Sequence, residues 1–368
     1  MEPSGVSFSP SHPLSAVRRA LVLASVAVVA ACQTPAATTN PGPSTGASAP
    51  PASVAPATPA PSESPPGLFH LVGTEPVIPR TTFADRGAVL PGAVVAGADG
   101  TYHAWVIAFA DAPGTQEVHY LTSTDGVAWT ESPDASLAAL SDGFGNPGAM
   151  PTSVLEDGDG WVMYLVGTLA SEQQGWDIWR ATAPAATGPW TRSAEPVLRR
   201  GEVGTWDAGG LDFPAVIPTA TGYAMFYSGI ESANTTGGAI GKATSEDGIA
   251  WTKGEGPVIE PGLCGDFDAR AIHQPRVIAT SDNIVMAYAG YAEPIDSRAV
   301  VGYADSLDEG DTWGCEWPWP GLDTAGLPDG SVHTVAAFQR GERVALLVEW
   351  LSNDGTDIWL ADLGLTAP

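Results

Sequence analysis

Four tryptophans recur at a nearly constant interval: Trp129, Trp190, Trp251 and Trp313 lie 61, 61 and 62 residues apart. Each ends a similar phrase, S-T-D-G-V-A-W, A-A-T-G-P-W, S-E-D-G-I-A-W and S-L-D-E-G-D-T-W. An alternating stretch precedes each phrase (V-H-Y-L-T-S, D-I-W-R-A-T, A-I-G-K-A-T, A-V-V-G-Y-A-D), and ahead of it lies an apolar run (H-A-W-V-I-A-F, W-V-M-Y-L-V-G, Y-A-M-F-Y-S-G, I-V-M-A-Y-A-G). Pro214 and Pro275, like Tyr227 and Tyr288, keep the same 61-residue step. Repeats of this length, made of short strands and glycine turns, predict the blades of a β-propeller, which bury their sheet faces only against one another.

The fifth unit, V-A-L-L-V-E-W followed by D-I-W-L-A-D-L-G-L, ends one strand short. The phrase that follows the repeat tryptophans, A-E-P-V-L at 194–198 and G-P-V-I-E-P at 256–261, occurs once more as Glu75-Pro76-Val77-Ile78-Pro79, with no blade before it. The spacing therefore predicts an all-β, five-bladed propeller of four-stranded blades over residues 67–368. The N-terminal segment is expected to supply the outer strand of the last blade. Such closure leaves no open sheet edge to recruit another chain.

Composition agrees with strands rather than helices: Gly (43) and Pro (33) are abundant, and only two of the 15 basic residues are lysines, Lys242 and Lys253. With 42 acidic residues the formal net charge is −27, which excludes a nucleic-acid partner, since that would require a basic face.

Residues 1–32 carry Arg18-Arg19, an apolar run from Leu21 to Ala31, and Cys32. A basic flank and a run too short to span a bilayer read as an export signal. Its ending, Val29-Ala30-Ala31-Cys32, resembles the lipobox of bacterial lipoproteins, which implies lipidation at Cys32. The expected location is extracytoplasmic, anchored to a membrane through lipid only; a cleavable signal with a chance cysteine is the alternative. Residues 33–66 are almost wholly Pro, Ala, Thr, Ser and Gly, with Glu63 the only charge, and read as a disordered tether. In an exported protein, Cys264 and Cys315 are expected to form a disulfide, two separate thiols being the alternative.

The phrases W-D-A-G-G-L-D-F-P-A-V-I, Y-A-M-F-Y-S-G and S-E-D-G-I-A-W-T-K resemble the five-bladed propeller glycosidases: glycoside hydrolase family 43 and the related invertase, levansucrase and mannoside-phosphorylase families. The likeness covers residues 67–368 as a fold pattern. It implies an oligo- or polysaccharide bound at the ring axis and carboxylates there doing the chemistry; a monomer without a cofactor is expected. Ser306-Leu307-Asp308-Glu309-Gly310-Asp311-Thr312-Trp313 also resembles the Asp box of sialidases, a structural turn on the outer rim. A calcium loop, there or at Asp157-Gly158-Asp159, is the alternative.

Repeats separate scaffold from chemistry. The segments Phe83–Pro91, Trp206–Pro214 and Phe267–Pro275 align without gaps. Two residues before the proline, where the innermost strand begins, stand Val89, Asp212 and His273; Ala149 and His333 are the counterparts in blades two and five. Asp212 is the foremost catalytic candidate because its carboxylate does not recur. Asp207 and Asp268 do recur, so each reads as a loop brace as well as a catalytic candidate. Candidate substrate contacts are His273, Gln274, Arg276, His333, Asp85, Arg86, Asp329 and Glu349. Glycoside hydrolysis needs a general acid and a second group acting as base or nucleophile. Family 43 places its base aspartate in blade one, where this chain has Val89-Leu90-Pro91, so the partner of Asp212 is left open among Asp207, Asp268, Asp329, Glu349 and Asp85. Three functions fit: a cell-surface glycoside hydrolase, a non-catalytic glycan-binding propeller, or a structural lipoprotein of the envelope.

Overall fold

The computed structural model describes residues 69–83, 86–110, 116–133, 135, 137–145, 148–158, 160–171, 175–232, 238–280, 283–293, 299–315, 321–322 and 324–363, the side chains of residues 86, 87 and 110 excepted. Cys32, the export signal and the tether lie outside them.

The strands fall into five antiparallel sheets that succeed one another along the chain. After the N-terminal β1 (Phe69–Leu71), blade one holds β2 (Arg86–Ala96), β3 (Tyr102–Ala110), β4 (Gln116–Ser123) and β5 (Thr130–Glu131). Blade two holds β6 (Met150–Asp157), β7 (Gly160–Gly167), β8 (Asp177–Ala183) and β9 (Thr191–Arg192). Blade three holds β10 (Gly210–Thr219), β11 (Gly222–Ile230), β12 (Gly238–Ser245) and β13 (Thr252–Ile259). Blade four has β14 (Ala271–Ala279), β15 (Ile284–Tyr291) and β16 (Val300–Ser306), and blade five β17 (Gly330–Arg340), β18 (Arg343–Ser352) and β19 (Gly355–Leu363). The first strands of the blades pack β2 on β6, β6 on β10, β10 on β14, β14 on β17 and β17 on β2, which closes the ring around an axis.

The core lies between blades. One cluster joins blades one and two through Trp105, Met163 and Trp190; another joins three and four through Phe226, Ile272 and Trp313; a third joins five and one through Phe338, Leu347 and Val106. The repeat tryptophan is the knob that reaches back to the preceding blade. Trp190 meets Trp105 at 6.1 Å, Trp251 meets Tyr164 at 5.7 Å and Trp313 meets Phe226 at 5.3 Å, all edge to face. Because each second strand is covered on both faces, β15 reads I-V-M-A-Y-A-G-Y and is buried throughout.

Ring closure follows the expectation and extends it. β1 pairs antiparallel with β19 over Phe69 to Leu71, and Ile78, in the recurring E-P-V-I-P phrase, bridges Ile358. Arg80 then clamps Asp357, its Nη2 lying 2.6 Å from Oδ2 and its main-chain N–H donating to Oδ1 at 2.8 Å. Blade four departs from the four-stranded pattern: among the described residues its outer position holds only the Asp305–Gly314 bridge. The disulfide Cys264–Cys315, with Cα atoms 5.3 Å apart, ties that edge to the loop ahead of β14.

Hairpin turns repeat as well. Asp125 Oδ1 accepts the N–H groups of Val127 and Ala128, Asp247 Oδ1 those of Ile249 and Ala250, and Asp308 Oδ1 that of Thr312. A serine two residues earlier accepts the glycine N–H in all three turns. These carboxylates are occupied in closing their own turns, and among the described residues no cluster of three or more His, Cys, Asp or Glu is arranged to hold a metal ion.

Candidate functional site

Each innermost strand slips register against its neighbour near its start: at Pro91/Ala93, Pro151/Ser153, Asp212/Ala215, His273/Arg276 and Val332/Thr334. A bulge bends the strand and re-aims a side chain. In blades three and four the irregularity is severe, since Phe213 (φ 48°) and Gln274 (φ 60°) occupy the left-handed region that non-glycine residues avoid. Such strain persists only where the surroundings hold it, and it gathers at functional sites.

Hydrogen bonds between blades hold it here. Thr152 Oγ1 donates to Pro214 O at 2.9 Å, and Ser153 Oγ accepts Val216 N–H at 3.0 Å. Ser228 Oγ accepts Gln274 N–H at 2.7 Å, and Thr356 Oγ1 accepts Val89 N–H at 2.8 Å. Gly92 marks a close approach of backbone between blades one and two: a Cβ there would stand 2.5 Å from the Pro151 carbonyl oxygen. None of these hydroxyl groups was singled out by the repeat comparison, and Ser228 alone had a visible signal, as the serine of Y-A-M-F-Y-S-G where blade four has alanine.

The slot two residues before the proline is divided as the sequence suggests. Val89 and Ala149 are fully buried and apolar, so blades one and two close their side. Blades three to five contribute Asp212, His273 and His333, each partly open to solvent. We refer to this rim as the mouth.

Asp212 accepts the Phe213 N–H at 2.8 Å. Burial pushes its carboxyl up to about 7, against the pull of that N–H and of the Arg276 charge. Arg276, itself buried, lies below: its Nε donates to Val335 O of blade five, its Nη1 to Thr152 O of blade two at 3.3 Å, and its guanidinium stands 4.8 Å from the Phe213 ring centroid. One side chain thus crosses the axis from blade four and seals it beneath the mouth. Burial lowers its pKa to about 9, which leaves it cationic at neutrality.

His273 is driven down to about 4 by burial alone and is neutral at physiological pH. Its ring packs against the backbone of Gly238 and edge-on to Tyr291, with centroids 6.1 Å apart. His333 Nδ1 lies 2.8 Å from Glu349 Oε2; Glu349 is wholly buried while the histidine side chain is 29% exposed. The carboxylate raises the affinity of His333 for its proton, against the effect of burial. Four buried polar atoms near the mouth have no hydrogen-bond partner among the described residues: His273 Nε2, Gln274 Oε1, Arg276 Nη2 and Glu349 Oε1. Buried polar groups are normally paired, so this concentration is what a polar ligand or ordered water would satisfy.

The remaining candidates lie apart from the mouth or outside the described residues. Asp207 is paired with Lys253 Nζ at 2.5 Å, on the outer strand of blade three, and accepts from Thr205 Oγ1 at 2.9 Å. Asp268 accepts from Tyr288 Oη at 2.8 Å and from Cys264 N–H at 3.2 Å. Each carboxylate is thus bonded to groups of its own blade. Asp329 is exposed in the loop ahead of β17. Asp85 and the Arg86 side chain lie outside the described residues. A cavity of about 460 Å³ opens at the opposite end of blade three, lined by Thr219, Tyr223, Lys242, Thr252 and Glu309, and no mouth residue borders it.

No family model matches the chain, and no curated protein is similar enough to match. Solved structures do match. One is from work on family 130 mannoside phosphorylases and the glycoside hydrolases among them that target β-1,2 mannosidic linkages in Candida mannan, with TM-score 0.60 and 17% identity over 83% of this chain and 96% of that one. Another is the β-1,2-mannobiose phosphorylase of Listeria innocua, with TM-score 0.58 and 13% identity over 80% and 96%. A thermostable family 43 glycoside hydrolase matches with TM-score 0.55 and 14% identity over 77% and 95%. At these identities the likeness is one of fold.

Proposed function

We propose that this chain is a glycoside-cleaving propeller acting on an oligo- or polysaccharide at the mouth, with Asp212 as the proton donor. The observation that carries the reading is the state of Asp212: a carboxyl at the ring axis whose pKa is raised to about 7. A glycosidic oxygen is a poor leaving group until protonated, and the donor must still hold its proton near neutrality. The neutral His273 and the unpaired Gln274 amide oxygen offer hydrogen bonds to sugar hydroxyls without charge. The structural neighbours that are glycoside hydrolases or mannoside phosphorylases support the substrate class. The Cys32 lipobox and the Pro/Ala/Ser/Thr segment support a tethered, extracytoplasmic location.

The test is turnover across a panel of aryl glycosides and β-1,2-mannobiose by the wild type and by Asp212→Asn. Loss of a general acid typically costs 10²–10⁴-fold in turnover. An Asn variant with full activity would remove the proton donor.

A non-catalytic glycan-binding propeller is the second reading, favoured by one observation: Asp207, Asp268 and Glu349 are all engaged in buried pairs. Binding of a panel glycan without turnover, unchanged in Asp212→Asn, would select it.

A further inference from the structure

We propose that His333 is the group that takes the proton from the attacking water, with Glu349 as its positioning residue. This rests on the reading of Asp212 as the proton donor.

The open question at the mouth is the second group. Of the carboxylates that the sequence offered, Asp207 is tied to Lys253, Asp268 to Tyr288, Asp329 is exposed in a loop, and Asp85 lies outside the described residues. Glu349 is close but sealed, with no exposed side-chain surface, behind His333. The histidine is what faces outward. Its Nδ1 is held 2.8 Å from the buried carboxylate, which leaves Nε2 as the ring nitrogen available to a substrate water. A buried carboxylate on one ring nitrogen fixes the tautomer, sets the ring orientation and strengthens the other nitrogen as a base.

The fold brings this pair to the same rim as Asp212. His333 stands in the bulge between Val332 and Thr334, and Asp212 opens the bulge of β10. Arg276 connects the two: its charge acts on Asp212, and its Nε donates to Val335 O, two residues beyond His333. Glu349 reaches the site from β18, whose register sets it opposite Thr334 rather than His333. The bulge turns the imidazole toward it. Groups facing the pair come from β15 as Tyr291 and from β18 as Glu349 itself.

The step balances as a single displacement. Protonated Asp212 gives its proton to the glycosidic oxygen as the bond from that oxygen to the anomeric carbon breaks. Water attacks the anomeric carbon from the other face and gives a proton to Nε2 of neutral His333. The products are an alcohol and a free sugar of inverted configuration; His333 then releases its proton to solvent and Asp212 regains one.

Two experiments decide it. On whichever panel glycoside is turned over, His333→Gln is expected to lower kcat 10²-fold or more with little change in KM. Azide should restore turnover and yield a glycosyl azide of inverted configuration, which a structural role would not produce. Undiminished kcat in His333→Gln, or a first product of retained configuration, would overturn the base while leaving the Asp212 reading intact; activity unchanged in Asp212→Asn would instead sink that reading. Independently of any substrate, nitrogen NMR of the full chain labelled in histidine should find neutral His333 protonated at Nδ1, with a titration midpoint that falls in Glu349→Gln. A proton on Nε2, or a midpoint unmoved by the substitution, would overturn the positioning role.

Discussion

Asp212 and His273 occupy the same place in successive blades, each one residue ahead of a non-glycine residue with positive φ and two ahead of a proline. The backbone recurs while the chemistry does not: burial raises the carboxyl of the first to about 7 and lowers the imidazole of the second to about 4. Both groups are consequently neutral over part of the physiological range, in a ring whose other counterparts are Val89, Ala149 and His333.

The raised carboxyl of Asp212 has a consequence for stability. The folded protein binds that proton more tightly than the unfolded chain, whose aspartate titrates near 3.9. Ionising Asp212 therefore costs stability, progressively as pH rises from about 4 to about 7. Asp212→Asn should flatten that part of the pH profile and be relatively more stable than the wild type at pH 8 than at pH 4. Chemical denaturation at the two values measures it, and an equal difference at both would count against a raised pKa.

Asp207→Asn and Asp268→Asn should each destabilise by about 1–3 kcal/mol, because each leaves a partner, Lys253 or Tyr288, without its carboxylate acceptor. Neither should alter glycan binding at the mouth. Unfolding midpoints and binding titrations on the same samples test both halves.

Arg80→Ala removes the clamp on Asp357 that fixes the N-terminal segment to β19. Loss of this partly buried, bidentate pair should expose the edge of blade five. Faster proteolysis near residue 80 and concentration-dependent association are expected. A variant no more prone to association and as protease-resistant as the wild type would mean that the strand pairing alone closes the ring.

The disulfide is half sunk in the core, Cys264 being buried in the cluster between blades three and four. It encloses a loop with a sequence separation of 51, for which chain entropy gives about 4 kcal/mol. It also anchors the edge of blade four at which the described residues show only the Asp305–Gly314 bridge. Cys264→Ser with Cys315→Ser should lower the unfolding midpoint, and reductant should have no further effect on that double variant.

How far the sequence reaches depends on what repeats. Trp190, Trp251 and Trp313 are periodic because each must fill the same interblade socket, so a spacing of 61 carries the architecture. The closing strand is legible for the same reason: Ile78 belongs to a recurring phrase without a blade of its own. The short outer pairing of blade four among the described residues is not legible, since the tryptophan phrase is present there as in the other blades. At the mouth, the polar occupants of the repeated slot emerge from alignment alone. Their partners do not. Glu349 meets His333 only because a bulge displaces the register by one residue, and Arg276, a candidate for binding sugar, spends its Nε and Nη1 on carbonyls of two other blades. These contacts join residues 59 and 124 positions apart, at which no local pattern hints.

The central claim is that Asp212 still holds a proton near neutrality. Carbon NMR of the side-chain carboxyl groups in protein labelled at aspartate, with Asp212→Asn to assign the signal, measures this directly. The account predicts a midpoint near 7 for the resonance that disappears in the variant. A midpoint near 4 would contradict it, because the carboxylate would then be ionised at neutral pH and unable to serve as the proton donor.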